Sequence, residues 1–244
     1  MNKDLRVGIL ITSSGSLEPE IYRNHLGCVN YWATLYDLRV YHVYDTCQQD
    51  ALNTLVHNAL EDDCEYLFFM EHDNIYCKDT LPKLLEHKVD FVSGYYPFRN
   101  WPYEPIPVVI DEDGETYRFE YIPHKDETES KIEVELACLG CSLVQADVFR
   151  DMPKPYFDLK LDPKSKKFML SDVVFFKNLR KAGVKVLVDG NVRIGHLSHR
   201  FSITPDNYRI FQKMVQVCFP EFVSPEDRLD EEVRIKELIR IMKG

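Results

Sequence analysis

The chain has 244 residues, 45 % hydrophobic and 29 % charged, the balance of an ordinary globular protein with a sizeable core. Its 30 Lys and Arg against 40 Asp and Glu give a formal net charge of −10, which repels phosphate backbones and argues against nucleic acid as a partner. No apolar run approaches the roughly 20 residues that cross a bilayer, and the N-terminal apolar run ends in a polar Ser-Gly loop with no cleavage site, so a cytoplasmic protein without a transmembrane segment is expected.

Residues 6–12 read as a first strand, followed by the loop Ser13-Ser14-Gly15-Ser16. Helical spacing runs over 17–35, with Pro19 near its start. Residues 38–44 read as a strand and Gln48 to Leu60 as a helix. Tyr66 to Met70 is continuously apolar, as in a strand buried on both faces of a parallel sheet. Asp79 to Glu86 predicts a short helix with Asp79 as N-cap, and 91–96 a further strand. This strand–helix alternation marks an open, mostly parallel α/β sheet. A hairpin is expected within 101–123, turning at Asp111-Glu112-Asp113-Gly114, then a charged loop over 124–131. Val134 to Val144 reads as one apolar strand with Gly140 inside it, the mark of a bulge or a close ligand. After a Pro-rich loop, 171–183 predicts a helix capped by Ser171 and stopped by Gly183. Residues 184–189 read as a strand, and 205–217 and 226–242 as helices. Val233, Ile235, Leu238, Ile239 and Met242 give the last helix an apolar face, read as packing on the domain.

The seven cysteines are scattered through apolar segments and read as reduced thiols. Cys138 and Cys141 have CxxC spacing, but there is no second pair for a structural zinc, and the motif opens no helix as a redox pair would.

Chemistry concentrates where strands end. Open α/β sheets bind ligands outside the carboxyl ends of their strands. Glu71-His72-Asp73 and Thr12-Ser13-Ser14-Gly15 both lie at such ends. Carboxylates there suit Mg²⁺ or Mn²⁺ shared with substrate phosphates, and Mn²⁺ also accepts an imidazole. By itself the acidic ending reads sooner as a solvated loop than as a site. Asp172 opens a helix, where an acid is either a dipole-matched capping group or a general base. Gly195-His196-Leu197-Ser198-His199 returns to polarity after a strand. Tyr95-Tyr96-Pro97-Phe98-Arg99-Asn100-Trp101 is an aromatic platform for a sugar or a packed rim.

Taken in order, FFMEHDNIYCKDTLPKLL, DFVSGYYP, Leu139-Gly140-Cys141-Ser142, Ser171-Asp172 and Gly195-His196 resemble the GT-A glycosyltransferases, in particular the family-two-like enzymes that use a nucleotide-sugar donor. The resemblance spans residues 6 to about 200. It implies a GT-A, Rossmann-like sheet flanked by helices over 1–204, with 205–244 as a helical extension packed on it. It also implies a metal-dependent hexosyltransferase that moves a sugar from a UDP- or GDP-sugar to a hydroxyl acceptor, with inversion. By the same resemblance, Asp73 and His196 are the metal ligands for Mn²⁺ or Mg²⁺. Glu71 matches the first acid of the DxD-type motif, facing metal or ribose. Asp172 is the base, Thr12 and Ser13 lie by the nucleoside, Gly140 admits donor or acceptor, and Arg200 with His199 meets diphosphate charge. This chain departs from the pattern in three places: Glu replaces the first Asp, Ser-Asp replaces an acidic pair, and Cys47-Gln48-Gln49-Asp50 stands where many relatives carry Arg-Asn.

The acceptor is open between a glycan, a lipid-linked saccharide, a protein and a modified nucleobase. Two other functions compete. A sugar-phosphate nucleotidyltransferase ordinarily carries a basic, Gly-rich loop after the first strand, and Thr12 to Ser16 has no basic residue. A degenerate GT-A domain that binds nucleotide or glycan without turnover is the non-enzymatic alternative.

Overall fold

The computed structural model describes residues 2–13, 17–100, 103, 106, 108–112, 117–121, 132–162, 166, 168–198, 201–205, 207–218, 223 and 225–243. The opening alternation becomes β1 (Asn2–Ser13), α1 (Pro19–Ala33), β2 (Tyr36–Tyr44), α2 (Gln48–Glu61), β3 (Tyr66–Glu71), a short β4 (Asn74–Ile75), α3 (Thr80–Glu86) and β5 (Phe91–Tyr95). The expected hairpin is β6 (Val108–Glu112) and β7 (Tyr117–Tyr121), paired antiparallel. Its turn residues Asp113 and Gly114 and the charged loop at 124–131 lie outside the described residues.

Val134 to Val144 is not one strand. It divides into β8 (Ile132–Val134) and β9 (Cys141–Gln145), with a turn at Leu139-Gly140 between them. The apolar run is continuous because Leu136 to Val144 are all buried, whereas its backbone bends. The Cys138 carbonyl turns inward to accept the hydroxyls of Ser93 (2.9 Å) and Ser142 (2.6 Å). Then follow α4 (Ala146–Asp151), the ribbon strands β10 (Lys160–Leu161) and β11 (Phe168–Met169), α5 (Ser171–Lys181), β12 (Val186–Arg193), β13 (Gly195–Ser198) and β14 (Phe201–Ile203). The chain closes with α6 (Tyr208–Cys218) and α7 (Glu231–Lys243), joined by a Lys213–Glu237 ion pair at 3.1 Å.

Seven strands form the central sheet in the order β2-β1-β3-β9-β5-β12-β8. β2, β1, β3, β5 and β12 run one way, while β9 and β8 run against them. The fold is mixed α/β and Rossmann-like, a mostly parallel sheet flanked by helices. β3 is buried on both faces, as its composition predicts, but its neighbours are parallel β1 and antiparallel β9. Leu67 and Phe69 join a core with α2, α4 and α5, in which the Phe157 and Phe175 rings stack at 4.5 Å. Phe68 and Met70 join the opposite core with α1 and α3, where Trp32 meets Phe68 edge-on at 5.5 Å.

The capping expectations hold at Asp79 and Gly183 and are corrected at Ser171. Asp79 occupies the N-cap of α3 without a side-chain cap bond and reaches Lys83 at 2.6 Å. Leu170, not Ser171, is the N-cap of α5, because Ser171 is buried as the first helical residue. Gly183 does stop that helix, at φ +78°, where a Cβ is strained. Among the described residues, no helix is long and apolar enough to cross a membrane.

Candidate functional site

The parallel strands put their carboxyl ends on one edge of the sheet. From β1 the chain moves outward to β2, then returns past β1 to β3. The crevice of an open α/β sheet forms where the winding reverses in this way. Thr12 at the end of β1 is in register with Glu71 at the end of β3. Ser13 follows, buried, with its hydroxyl 2.7 Å from His42 Nε2 on β2. Thr12, Ser13 and Glu71 thus meet at the switch point.

The segment after Glu71 is held by one face of α1. Asn24 bonds both the carbonyl and the N–H of Tyr76, at 2.9 and 2.8 Å. His25 Nε2–H donates to the Asn74 carbonyl at 2.9 Å, and Trp32 Nε1–H to the Lys78 carbonyl at 2.6 Å. β4 in turn pairs with β13, which places His196 opposite Asn74, and the Leu197 N–H donates to the Asp73 carbonyl at 2.7 Å. Two residues far apart in sequence, Asp73 and His196, are thereby brought face to face.

His196 Nδ1–H donates to the Pro97 carbonyl at 2.9 Å, and Tyr96 meets the imidazole edge-on at 5.2 Å. With Nδ1 committed to that bond, Nε2 faces Asp73 Oδ2 3.4 Å away, as a lone pair when the ring is neutral and as an N–H donor when it is protonated. An imidazole lone pair and a carboxylate oxygen facing each other call for a proton or a cation. In this structure the Arg99 guanidinium also lies on Asp73 Oδ2. Burial works against the Asp73 carboxylate, but the His196 bond and the charges of His196, His72 and Arg99 outweigh it, so its pKa lies below the ordinary value.

Glu71 has different surroundings. Its N–H donates to the Tyr76 hydroxyl at 2.9 Å, and that hydroxyl donates to the Gly140 carbonyl. The Gly140 N–H donates to the Tyr96 hydroxyl at 3.1 Å, so two phenols grip the Gly140 peptide. The close approach at Gly140 is made by this protein's own groups: a Cβ there would meet the Glu71 carboxyl and stand 2.6 Å from Asn74 Nδ2. Gly140→Ala is therefore expected to cost about 1–3 kcal/mol, through strain at two part-fixed side chains. Chemical denaturation measures that loss.

Burial first, and then the Asp73 charge, pushes the Glu71 carboxyl up to about 7. Because the folded state holds this proton more tightly, the stability it contributes is full below the ordinary value of 4.5 and is lost as pH rises through 7. His25, lowered mainly by burial, acts oppositely below 6.5, so the two slopes overlap. The comparison of wild type with Glu71→Gln isolates the Glu71 part. Without added metal, the variant is expected to match wild type near pH 4.5 and to exceed it on the order of 2 kcal/mol at pH 8. Thermal unfolding across pH reads this difference.

Asp172 stands in the first turn of α5, with Oδ1 accepting the Val173 N–H at 2.8 Å. Burial raises its pKa, and backbone N–H groups oppose the rise. Its charge also raises Glu71, so the start of α5 lies within electrostatic reach of the β3 end. Arg200 and His199 lie outside the described residues, as do Ser14, Gly15, Ser16 and Trp101. Tyr95 and Tyr96 are core residues and offer no platform, while Phe98 is exposed. Cys138 and Cys141 are free, buried thiols pushed up by burial, not a redox pair. Among the described residues, no three His, Cys, Asp or Glu side chains converge as a metal cluster. The geometry offers a two-residue pair, Asp73 and His196, with Glu71 turned to Gly140. A cavity of about 590 Å³ at the opposite end of the sheet, between Leu5, Tyr36, Tyr66 and Leu85, holds none of these groups.

Sequence reasoning did not single out Asn74, Tyr76 or Arg99. Asn74 and Tyr76 directly follow the acidic stretch, and that adjacency was the available signal; the structure buries both side chains. No family model matches the chain, and no curated protein matches it. Solved structures do. A197 from STIV is 16 % identical, with a TM-score of 0.54, covering 83 % of this chain and 91 % of that one. A 4-diphosphocytidyl-2C-methyl-D-erythritol synthase from Anaerococcus prevotii is 14 % identical, with a TM-score of 0.42, covering 87 % and 96 %. At such identities, the likeness to A197 concerns the fold.

Proposed function

We propose that this protein is a metal-dependent glycosyltransferase that moves a sugar from a UDP- or GDP-sugar to a hydroxyl acceptor. One observation carries the reading: Asp73 Oδ2 and His196 Nε2 face each other at 3.4 Å, with His196 Nδ1 bonded to the Pro97 carbonyl. Two protein ligands suit Mn²⁺ or Mg²⁺, which keep positions for substrate phosphates. When bound, such an ion neutralises charge on a departing nucleoside diphosphate. Thr12 and Ser13, at the switch point, would meet the nucleoside, and Arg200 the diphosphate. Glu71 would orient the donor near Gly140. Asp172, in the first turn of α5, would take the proton of the attacking hydroxyl and so direct an inverting transfer. Residues 1–204 form the catalytic unit in this reading, and 205–244 its helical extension.

The reading is tested by incubating the protein with a panel of UDP- and GDP-sugars and following nucleoside diphosphate release. Release that requires Mn²⁺ or Mg²⁺ and stops with EDTA supports it. Pyrophosphate release from a nucleoside triphosphate and a sugar phosphate would replace it with nucleotidyl transfer. Metal-dependent binding with no turnover of any donor would replace it with a binding domain.

A further inference from the structure

The Asp73 carboxylate has two neighbours on a single oxygen. His196 Nε2 stands 3.4 Å from Oδ2, and Arg99 lies on the same atom through Nη1. The three side chains are held differently. Asp73 and His196 keep only 13 % and 10 % of their side-chain surface in water, whereas Arg99 keeps 46 %. The backbone on either side of Arg99 is anchored. The Pro97 carbonyl accepts the His196 Nδ1–H, and the Tyr103 N–H closes a turn on the Asn100 carbonyl at 2.8 Å. The long Arg99 side chain can therefore swing about a fixed base, giving up an ion pair that water already screens on its own side.

A guanidinium and a divalent cation on one carboxylate oxygen repel each other, so each works to exclude the other. Arg99 is also made for a larger anion than it holds. Among the described residues it engages Asp73 through Nη1 alone, whereas its planar fork suits pairs of phosphate oxygens. Its charge is felt at Glu71 as well as at Asp73, which puts it within electrostatic reach of both acids at the β3 end. We propose that Arg99 is a resident counter-ion that exchanges partners. In the free protein it neutralises Asp73 and keeps a cation off Oδ2. When a nucleoside diphosphate enters, it turns to the diphosphate oxygens and leaves Asp73 and His196 to the divalent ion. The proposal rests on the metal-dependent transfer reading and adds to it a coupling between ion and donor. An ion by itself must expel Arg99 with no anion to receive it. The diphosphate is that receiver, so ion and nucleotide strengthen each other's binding by the same factor. Between turnovers the mostly buried Asp73 carboxylate is never left without a positive partner.

Titration calorimetry of the full chain with Mn²⁺ alone, with UDP or GDP alone, and with each in the presence of the other tests this and reads no turnover. Wild type is expected to bind Mn²⁺ alone weakly and Mn²⁺ with nucleotide well. Arg99→Gln should tighten Mn²⁺ alone at least about threefold, and weaken nucleotide in the presence of Mn²⁺ at least about tenfold. Arg99→Lys keeps the charge and loses the fork, so it should bind Mn²⁺ alone as wild type does and nucleotide at an intermediate strength. Unfolding midpoints of both variants should stay near wild type, because the Arg99 side chain is half-exposed. If Arg99→Gln leaves both affinities unchanged, Arg99 is a surface ion pair and the proposal falls. If Arg99→Gln weakens Mn²⁺ alone, Arg99 supports Asp73 as a ligand, and the proposal falls again. Either result leaves the transfer reading standing. Nucleotide binding by wild type that is indifferent to Mn²⁺ overturns the metal-dependent reading and this proposal with it.

Discussion

Asp73→Ala is expected to weaken cation-dependent binding of a nucleoside diphosphate by at least about 100-fold, with the fold intact. The carboxylate is the anionic half of the Asp73–His196 pair. Without it, a divalent ion would keep one imidazole and lose its only charged protein ligand. Stability should change little, because the Arg99 side of the pair is solvent-screened and such pairs contribute about 0–1 kcal/mol. The backbone carbonyl of Asp73 keeps its bond from Leu197, so β4 and β13 stay together. Titration of UDP or GDP with and without Mn²⁺, alongside thermal unfolding, separates lost binding from lost folding.

Asp172→Asn is expected to lower kcat about 10²–10⁴-fold and leave donor binding near wild type. The amide oxygen can still accept the Val173 N–H, so the first turn of α5 keeps its geometry. In the proposed reaction, what would be lost is the proton acceptor. Burial already disfavours the Asp172 charge, so the neutral variant should be no less stable than the parent. Removing that charge also relieves the pressure on Glu71. Steady-state kinetics that separate kcat from KM decide this. Equal loss in donor affinity would assign Asp172 to binding instead.

Much of this site was legible because sequence and burial change together there. β3 runs through buried apolar residues and turns acidic at the sheet edge, so Glu71 and Asp73 could be placed at a strand end before any coordinates. Thr12 followed from the same logic on β1. Pairing was less visible. His196 reaches Asp73 through β4, a strand of two residues that carries no periodicity. The α1 face that fixes the loop mixes Asn24, His25 and Trp32, whose hydrogen bonds to residues 74–78 cannot be inferred from spacing. Gly140 was legible as a constraint but not as to its cause. Its backbone is gripped by Tyr76 and Tyr96, and its missing side chain makes room for Glu71. The break between β8 and β9 was hidden because a buried turn and a buried strand have the same composition, and α4 because six residues fall short of two helical turns.

The pairing of Asp73 with His196 at one divalent ion is tested most directly by pulsed electron paramagnetic resonance on Mn²⁺ bound to the protein with UDP or GDP. The account predicts coupling to a single directly bound imidazole nitrogen, lost in His196→Ala, with nucleotide phosphorus coupling in the same spectrum. Bound Mn²⁺ that shows no nitrogen coupling, or a coupling that survives His196→Ala, would contradict it.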